Sequence, residues 1–414
     1  MFDLDKWQEI FYTITNNKLR TGLTAMGVFW GIFMLTLLLG SGKGMENGVM
    51  AMFGDSAKNA LYIWPQRSTM PYKGFKAGRR VQYTMDDVHA IIDNVPQVEV
   101  VAPRFGMGSL TFVRNEKSEA YEVRGETQDF IKIEPTNIIL GRYINALDVE
   151  KSRKIIVIGK QIRDIFFEED EDVVGQYIQV GGIDYLISGV FTSKRQGEDA
   201  AEDERTAYVP ITTVQRIRNL GNKIGWFVCT INGNVSAFET KIIDVIKQRH
   251  NIHPDDDQAI GHFNLEEEFN QFQGLFIAIN LFVWFVGIGT LIAGIVSVGN
   301  VMLIVVKERT REIGIRKSLG ATPGSIISMI LMESVFITAI SGYIGLLVGA
   351  GLLWLIATLM DQFGVESMFF ANPEVNMTTG LISLLILVCA GTFAGLIPAI
   401  QASKVNPVDA LKDE

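Results

Sequence analysis

Histidine and cysteine are scarce: the 414 residues include four of the first and two of the second. His89, His250, His253, His262 and Cys229 are scattered through the polar middle of the chain, and Cys389 sits in its last apolar run. No cysteine spacing suits a metal, and a disulfide between residues in different phases is not expected. The phosphate loop G-x-x-x-x-G-K-[ST] is also missing. Gly40-Ser41-Gly42-Lys43 approaches it, but its first glycine is too near the lysine and no hydroxyl residue follows. ATP binding by that route is therefore excluded. His250 and His253 with Asp255, Asp256 and Asp257 could flank a metal, and Glu168–Asp172 is a second acidic run; both read more simply as solvated turns. No Ser/His/Asp set or catalytic carboxylate pair stands out. The chain is expected to be no enzyme, with no metal and no cofactor of its own.

Charge is short as well, at 20% of residues, and it is unevenly spread. Four runs hold no Asp, Glu, Lys or Arg: Thr21–Gly42, Phe269–Val306, Ser334–Met360 and Val375–Ser403, of 22, 38, 27 and 29 residues. Each exceeds the roughly 20 residues that cross a hydrocarbon core of about 30 Å, so four spans are expected. The first is longer than the core of a signal peptide and reads as an uncleaved span. An ion-coupled carrier would place an ionisable group in mid-membrane, and these runs have none. Asn300 is the notable polar residue in the second run, and a hydrogen bond to a neighbouring helix is its simplest role.

Basic residues orient the spans. Segments 1–20, 307–333 and 404–414 carry three, five and two, whereas 361–374 carries none. The positive-inside rule then puts both termini in the cytoplasm and residues 43–268 outside. That middle segment holds 34 acidic and 27 basic residues, −7 of the net −9, which argues against a nucleic-acid partner. Ahead of the first span, Leu4, Trp7, Phe11 and Ile14 recur at helical intervals, and residues 1–20 read as an amphipathic helix lying in the lipid headgroups.

The outer segment mixes strands and helices. Alternating or branched runs predict strands at 98–101, 109–113, 121–123, 154–158, 177–180, 185–190 and 226–231; helical patterns fit 85–93, 161–167, 212–219 and 236–248. The fold class is an α-helical membrane bundle of four spans with a large α+β extracytoplasmic domain inserted between the first and second. Lys194–Arg205 reads as a mobile surface loop. The second run would rise about 57 Å as one helix, so Phe269, Phe272, Leu275 and Phe276 are expected to pack on protein as a stalk beyond the bilayer. Small residues four apart (Gly27 and Gly31; Ser341, Gly345 and Gly349; Gly391 and Gly395) would let helix backbones approach closely, within one chain or between two.

Between the second and third spans lies KERTREIGIRKSLG, Lys307–Gly320, with five basic residues in fourteen. Glu312 and Arg316 stand four apart with the acid first, Ile315 and Leu319 are likewise four apart, and Gly320 is placed to end a helix before Thr322-Pro323 opens the next. A basic segment held by anionic lipid is the plainer reading. Glu308 and Glu312 among the bases weaken it, since alternating charge suits a protein groove better.

Gly299-Asn300-Val301-Met302-Leu303 followed by ERTREIGIRKSLGAT resembles the second span and cytoplasmic loop of MacB-type permeases, relatives of FtsX and of the lipoprotein-release permeases. LRTGLTAMGVFWGI, VRGETQDF, LGRYINALDV, IIVIGKQIRDIFF and PAIQASKVNPVDAL extend the likeness along most of the chain. Ser318-Leu319 departs mildly from the family's usual residues. The resemblance implies a porter-like part at about 43–125 and 226–262 and an inserted subdomain at about 126–225. It implies a coupling segment of Glu308, Arg309, Arg311, Glu312, Ile313, Gly314, Ile315, Arg316, Lys317, Leu319, Gly320 and Ala321. This would dock a separate cytoplasmic ABC ATPase that binds the ATP and magnesium. A second permease copy, as a homodimer, is a further implied partner; a periplasmic adaptor and an outer-membrane channel are candidates. The implied setting is the bacterial inner membrane. The implied function is mechanotransmission for export or extraction of a hydrophobic, peptide, antibiotic or lipoprotein substrate. The alternative is an FtsX-type signalling protein that regulates an outer partner such as a cell-wall hydrolase.

Overall fold

The computed structural model describes residues 18–53, 56–195, 198–363, 370–373 and 377–404. The headgroup helix expected over 1–20, save its last three residues, lies outside the described residues, as do the tail from 405 and parts of the 361–374 loop. In chain order the elements begin with α1 (Lys18–Phe53), β1 (Ala60–Pro65), α2 (Met85–Asn94), β2 (Val98–Arg114), β3 (Lys117–Glu126), α3 (Phe130–Ile133), β4 (Asn137–Gly141) and α4 (Ala146–Glu150). There follow β5 (Ile155–Gly159), α5 (Lys160–Phe166), β6 (Tyr177–Val180), β7 (Ile183–Thr192), α6 (Glu198–Asp203), β8 (Thr206–Pro210) and α7 (Ile211–Ile217). The last are β9 (Trp226–Ile231), α8 (Val235–Arg249), β10 (Ile260–Asn264), α9 (Leu265–Glu308), α10 (Thr310–Ser318), α11 (Pro323–Phe363) and α12 (Met377–Ser403). They form two compact units, Met50–Gly274 and Met1–Val49 with Leu275–Glu414.

The unit Met50–Gly274 is built on one ten-stranded sheet in the order β10–β1–β9–β2–β3–β8–β5–β7–β4, with β6 against β2 and β7. Strand residues alternate between its faces. In β1, Leu61 and Ile63 join a core with Tyr83, Ile91, Phe227, Cys229, Ile242 and Ile246, while Ala60 turns to Phe130, Ile133 and Val228. A second core gathers Phe112, Tyr121, Val123, Ile156, Ile158, Phe166, Ile187 and Val209. It takes in Met107 to Val123, which the sequence reading assigns to the porter-like part ending near 125. The reason is β2: it runs unbroken from Val98 to Arg114, pairs with β9 at one end and with β6 at the other, and serves both cores.

Between the cores, Arg104 is buried with Glu126 at 2.6 Å and Glu134 at 2.9 Å. Its guanidinium lies 3.6 Å from the Phe130 ring centroid. Tyr62 donates to Glu134 at 3.0 Å and Tyr143 to Glu126. Burial would raise both carboxyls; it leaves Glu126 above the ordinary range, whereas Arg104 and Tyr62 bring Glu134 below it.

Four strands escape the sequence reading: β1, β4, β8 and β10. β8 is buried at every residue and so lacks alternation. Of the loop expected over 194–205, residues 196 and 197 lie outside the described residues, and much of the rest is ordered. Glu198–Asp203 is helical, Glu204 N–H bonds to Ala200 O at 3.0 Å, and Ser193 Oγ donates to Asp203 at 2.8 Å.

Asp87 opens α2, accepting from Thr84 N at 2.8 Å and from Arg249 Nε at 2.7 Å, with His250 Nε2 at 3.0 Å. Burial alone would raise its carboxyl, but these partners outweigh it and hold the group at about 2. A carboxyl depressed on folding stabilises above its unfolded pKa of about 3.9 and loses that contribution as pH falls toward 2. Asp87→Asn should therefore cost about 2–3 kcal/mol at pH 7 and little at pH 2, read by thermal melts of the full chain in detergent.

In the other unit, α1, α9, α11 and α12 are long and apolar enough to cross a membrane. Val28, Ile32, Leu35, Leu291, Val298, Met302, Leu346 and Leu387 form their core. Leu281, Phe282, Phe285, Trp354 and Phe393 stay exposed, as side chains facing lipid do. Several helices exceed the expected spans. α1 passes Gly42 to reach Phe53, with Lys43 and Glu46 paired at 3.0 Å one turn apart, and α11 opens at Pro323, as Thr322-Pro323 predicts, and runs on into the third apolar run. A charge ends an apolar run without ending a helix.

α9 likewise starts at Leu265 and ends at Glu308. Phe269 and Phe276 are buried, but Leu275 is 52% exposed, on the helix flank away from them. Asn300 is exposed rather than bonded to a neighbouring helix. A Cβ on Gly27 would lie 3.3 Å from Ser297 Oγ, one on Gly31 3.3 Å from Thr290 O, and one on Gly345 2.7 Å from Phe29 O. One on Gly349 would lie 2.9 Å from Thr36, on Gly391 3.0 Å from Thr338, and on Gly395 2.9 Å from Ser334. All six glycines named from spacing thus face another helix of the same chain. Gly345→Ala should lower the detergent melting midpoint by the equivalent of about 1–3 kcal/mol. Gly351→Ala, in open space, should leave it unchanged or raise it.

Candidate coupling site

The site is the turn of chain from Lys307 to Glu333. α9 stops at Glu308, and Arg309 carries the chain into α10 at a near-helical φ of −90°. Gly320 adopts φ +98°, a left-handed conformation that lets the helix end there. Thr322 Oγ1 then accepts from Ser325 N at 3.3 Å, and Pro323 begins α11.

One side of α10 is fixed. Val306, Ile313, Ile326, Ile330, Ala399 and Ala402 form a small apolar core, and Gly314 is buried beside it. Arg309 donates to both Glu312 oxygens at 2.8 Å and to Glu333 of α11 at 3.2 Å. Glu312 also pairs with Arg316 at 2.8 Å, one helical turn on. Arg316 Nη1 lies 2.8 Å from Met329 Sδ. Lys317 Nζ donates to Ser403 O at 2.8 Å, placing a cation on the C-terminus of α12, where the helix dipole is negative.

The opposite side is open. Arg311, Ile315 and Leu319, each four residues from the last, make an exposed stripe, with Lys307, Glu308 and Gly320 exposed around it. Ile315 is 45% and Leu319 83% exposed, large apolar groups in an otherwise charged helix. Of the residues named from the sequence, the structure therefore sets Arg309, Glu312, Ile313, Gly314, Arg316 and Lys317 to holding α10, with Ala321 half-buried at its end. Glu308, Arg311, Ile315, Leu319 and Gly320 are left facing outward. The sequence reading missed Glu333 and the Ser403 carbonyl as anchors. Glu333, the one acid between Glu312 and the third apolar run, carries a signal; a backbone carbonyl carries none.

The acidic turns are tied to neighbouring groups. Asp256 accepts from Thr69 and Met70, Asp257 pairs with Lys247 at 2.8 Å, and Glu171 binds Arg114. No group of three His, Cys, Asp or Glu placed to hold a metal occurs among the described residues.

Residues 21–242 match the family model for the MacB-like periplasmic core domain, more than half of the chain. The chain belongs to the MacB-type, FtsX-like permease family. Residues 284–407 match the model for the FtsX-like permease C-terminal region. Among curated relatives, the pyoverdine export ATP-binding/permease protein PvdT of Pseudomonas entomophila is 29% identical over 405 residues, 96% of this chain and 58% of that protein. The macrolide export ATP-binding/permease protein MacB of Psychrobacter arcticus is 26% identical over 416 residues, 99% of this chain and 59% of that protein. The chain thus spans less than two thirds of the length of these relatives. Two solved structures are similar. The periplasmic region of MacB from Actinobacillus actinomycetemcomitans has 17% identity and a TM-score of 0.42, over 52% of this chain and 92% of that one. The extracellular domain of the noncanonic ABC-type transporter YknZ from Gram-positive bacteria has 14% identity and a TM-score of 0.40, over 50% and 100%. The architecture is that of a MacB-type ABC-transporter permease: four membrane helices with a periplasmic-type α+β domain between the first and second.

Arg309→Ala should free α10 from α11. Trypsin should then cleave full-length protein in detergent several-fold faster after Arg311 and Arg316, with the outer-domain cleavage pattern unchanged.

Proposed function

We propose that this chain is the permease of an ABC transporter in a bacterial inner membrane, with both termini cytoplasmic. It passes the work of ATP hydrolysis in a cytoplasmic ATPase to its extracytoplasmic domain, and so exports or extracts a hydrophobic, peptide, antibiotic or lipoprotein substrate. The observation that carries the reading is the two-sided α10. Its inner side is fixed by Arg309, Ile313 and Lys317, and its outer side offers Arg311, Ile315 and Leu319 to a protein groove. An exposed leucine beside an arginine is the composition of a binding surface, where apolar anchors supply most of the affinity and rim charge sets orientation.

The mechanism follows from how force enters. The ATPase, binding ATP and magnesium, would close against a second copy and push on the exposed stripe. Because Ile313 and the Arg309–Glu333 contact join α10 to α11, the push moves packed helices rather than a loop. α9 is one continuous helix of 44 residues, about 66 Å long, whose first residue follows β10 directly. Displacement at its charged end would be carried along this helix. The relatives' names include export of pyoverdine and of macrolides, which favours outward transport.

The test is retention of ATPase by the tagged chain purified from its own cells. Arg311→Glu with Leu319→Asp should leave membrane yield intact and reduce co-purifying Mg-ATP hydrolysis by about tenfold or more. Wild-type recovery would remove the docking role. Glu312 is unsuitable for this purpose, because its reversal would break the contacts with Arg309 and Arg316 inside the permease itself.

A further inference from the structure

The buried group around Arg104 holds more acid than base. Arg104 of β2, Glu126 at the end of β3 and Glu134 after α3 bring one cation together with two carboxyls. Arg124, the next cation along β3, is committed to Glu122, donating to its two oxygens at 3.0 and 2.9 Å. Arg195 is felt electrostatically at Glu134, and it pairs with Asp203 at 3.7 Å. The other titratable groups against the cluster are phenols: Tyr62 of β1, Tyr143 ahead of α4 and Tyr208 of β8.

The two carboxyls are not served alike. Glu134 accepts from Arg104 Nη2 at 2.9 Å and from Tyr62 at 3.0 Å, and its side chain is 20% exposed. The Glu126 side chain is 1% exposed, and its Oε2 accepts from Tyr143. Its Oε1 lies 2.6 Å from the same Arg104 Nη2, but off the line of the N–H bonds, and has no hydrogen-bond partner among the described residues. Arg104 Nε and Thr127 Oγ1 also lack one. A single hydrogen bond does not offset the desolvation of a full charge, and a carboxyl so placed takes up a proton instead. The proton belongs on Oε2, where the carboxyl would donate to Tyr143 Oη and leave Oε1 as a carbonyl oxygen against Arg104.

The cluster sits where the halves of the domain that share β2 are joined. Tyr62 packs on the apolar group of Ala60, Phe130, Val228 and Leu265. Tyr143 packs on that of Ile144, Ile155, Val157, Phe191 and Tyr208. Polar contacts run from one group to the other through Tyr62, Glu134, Arg104, Glu126 and Tyr143.

We propose that Glu126 is a proton-binding site of the outer domain, and that loss of its proton as pH rises loosens the junction between these halves. With the proton bound, Arg104 and Glu134 balance each other and the cluster is neutral. Without it, a net negative charge is enclosed beside the Phe130 and Trp226 rings that flank Arg104. A carboxyl that binds its proton more tightly when folded favours the folded state below its unfolded pKa of about 4.3; the advantage declines as pH rises, until the folded group ionises. One proton changes the opening equilibrium by at most about tenfold per pH unit. The site lies wholly within the outer domain and acts whether or not α10 docks an ATPase.

The experiment uses the full chain in detergent. Glu126→Gln imitates the protonated acid, whereas Glu134→Gln removes an ionised one. In thermal melts between about pH 5 and pH 9, the wild-type midpoint should fall relative to that of Glu126→Gln as pH rises. Glu134→Gln should melt below wild type by several degrees throughout. Infrared spectra at about pH 7, with isotopically labelled carbon at the glutamate side-chain carboxyls, should show a protonated-carboxyl band that is weaker in Glu126→Gln. Hydrogen exchange of wild type asks the same question without a variant. After correction for base catalysis, amides of residues 124–126 should open about tenfold or more as often at about pH 9 as at about pH 6, and those of 178–180 equally often at both. A Glu126→Gln midpoint as far below wild type at about pH 7 as that of Glu134→Gln would show an ionised Glu126 and overturn the proposal. An unchanged infrared band, or exchange at 124–126 that follows base catalysis alone, would overturn it as well.

Discussion

One guanidinium, shared between Glu312 at 2.8 Å and Glu333 at 3.2 Å, decides whether the charged turn is a loop or a part. Without Arg309, α10 would keep the Ile313 contacts and the Lys317 bond to Ser403 O but lose its ion pair to α11. With it, two carboxylates from successive helices share one cation, above the apolar contacts of Ile313 with Ile326 and Ile330. Charge-assisted hydrogen bonds of this kind gain strength where water is partly excluded. The stripe of Arg311, Ile315 and Leu319 has a fixed direction only because that inner side is settled first.

The same logic runs through the spans, where the constraint is distance rather than charge. In lipid there is no apolar gain from bringing helices together, so contact must come from close packing. Gly345 against Phe29 O brings backbones closer than a Cβ would allow without a shift, and Gly31 against Thr290 O is nearly as tight. The outer unit relies on the opposite chemistry. There Arg104, Glu126 and Glu134 lie in the interior with Tyr62 and Tyr143, a charged cluster tolerable only because its members answer one another.

Much of this was legible in the chain itself, and the exceptions are instructive. The four spans follow from the absence of charge, and β6 and β9 match the predicted runs 177–180 and 226–231 because their residues alternate or branch. β8 was hidden because TAYVP is buried throughout and follows a polar stretch that itself folds into α6. The first span's end was misjudged where charge was taken as a stop, since Lys43 continues α1, whereas Thr322-Pro323 opens α11 as its residues predict, with Glu333 inside that helix. At the candidate coupling site the twelve residues named from the sequence divide into anchors and outward groups, and that division is not written in their spacing. Glu312 and Arg311 are neighbours in sequence with opposite duties, and no spacing rule separates them.

The unbroken β2 has a consequence for the evolution of the outer domain. An insertion that sat on its own sheet could be traded between relatives as a module, with both crossover points in surface turns. Here the strand that begins the second core is the same peptide that completes the first, with Pro103 paired to Phe227 and Phe112 to Val180. Recombination at the boundary near 126 would leave half of a shared strand to pair with foreign neighbours. Descent in this lineage would then proceed by changes at loop tips such as Lys73-Gly74, with the two halves inherited as one.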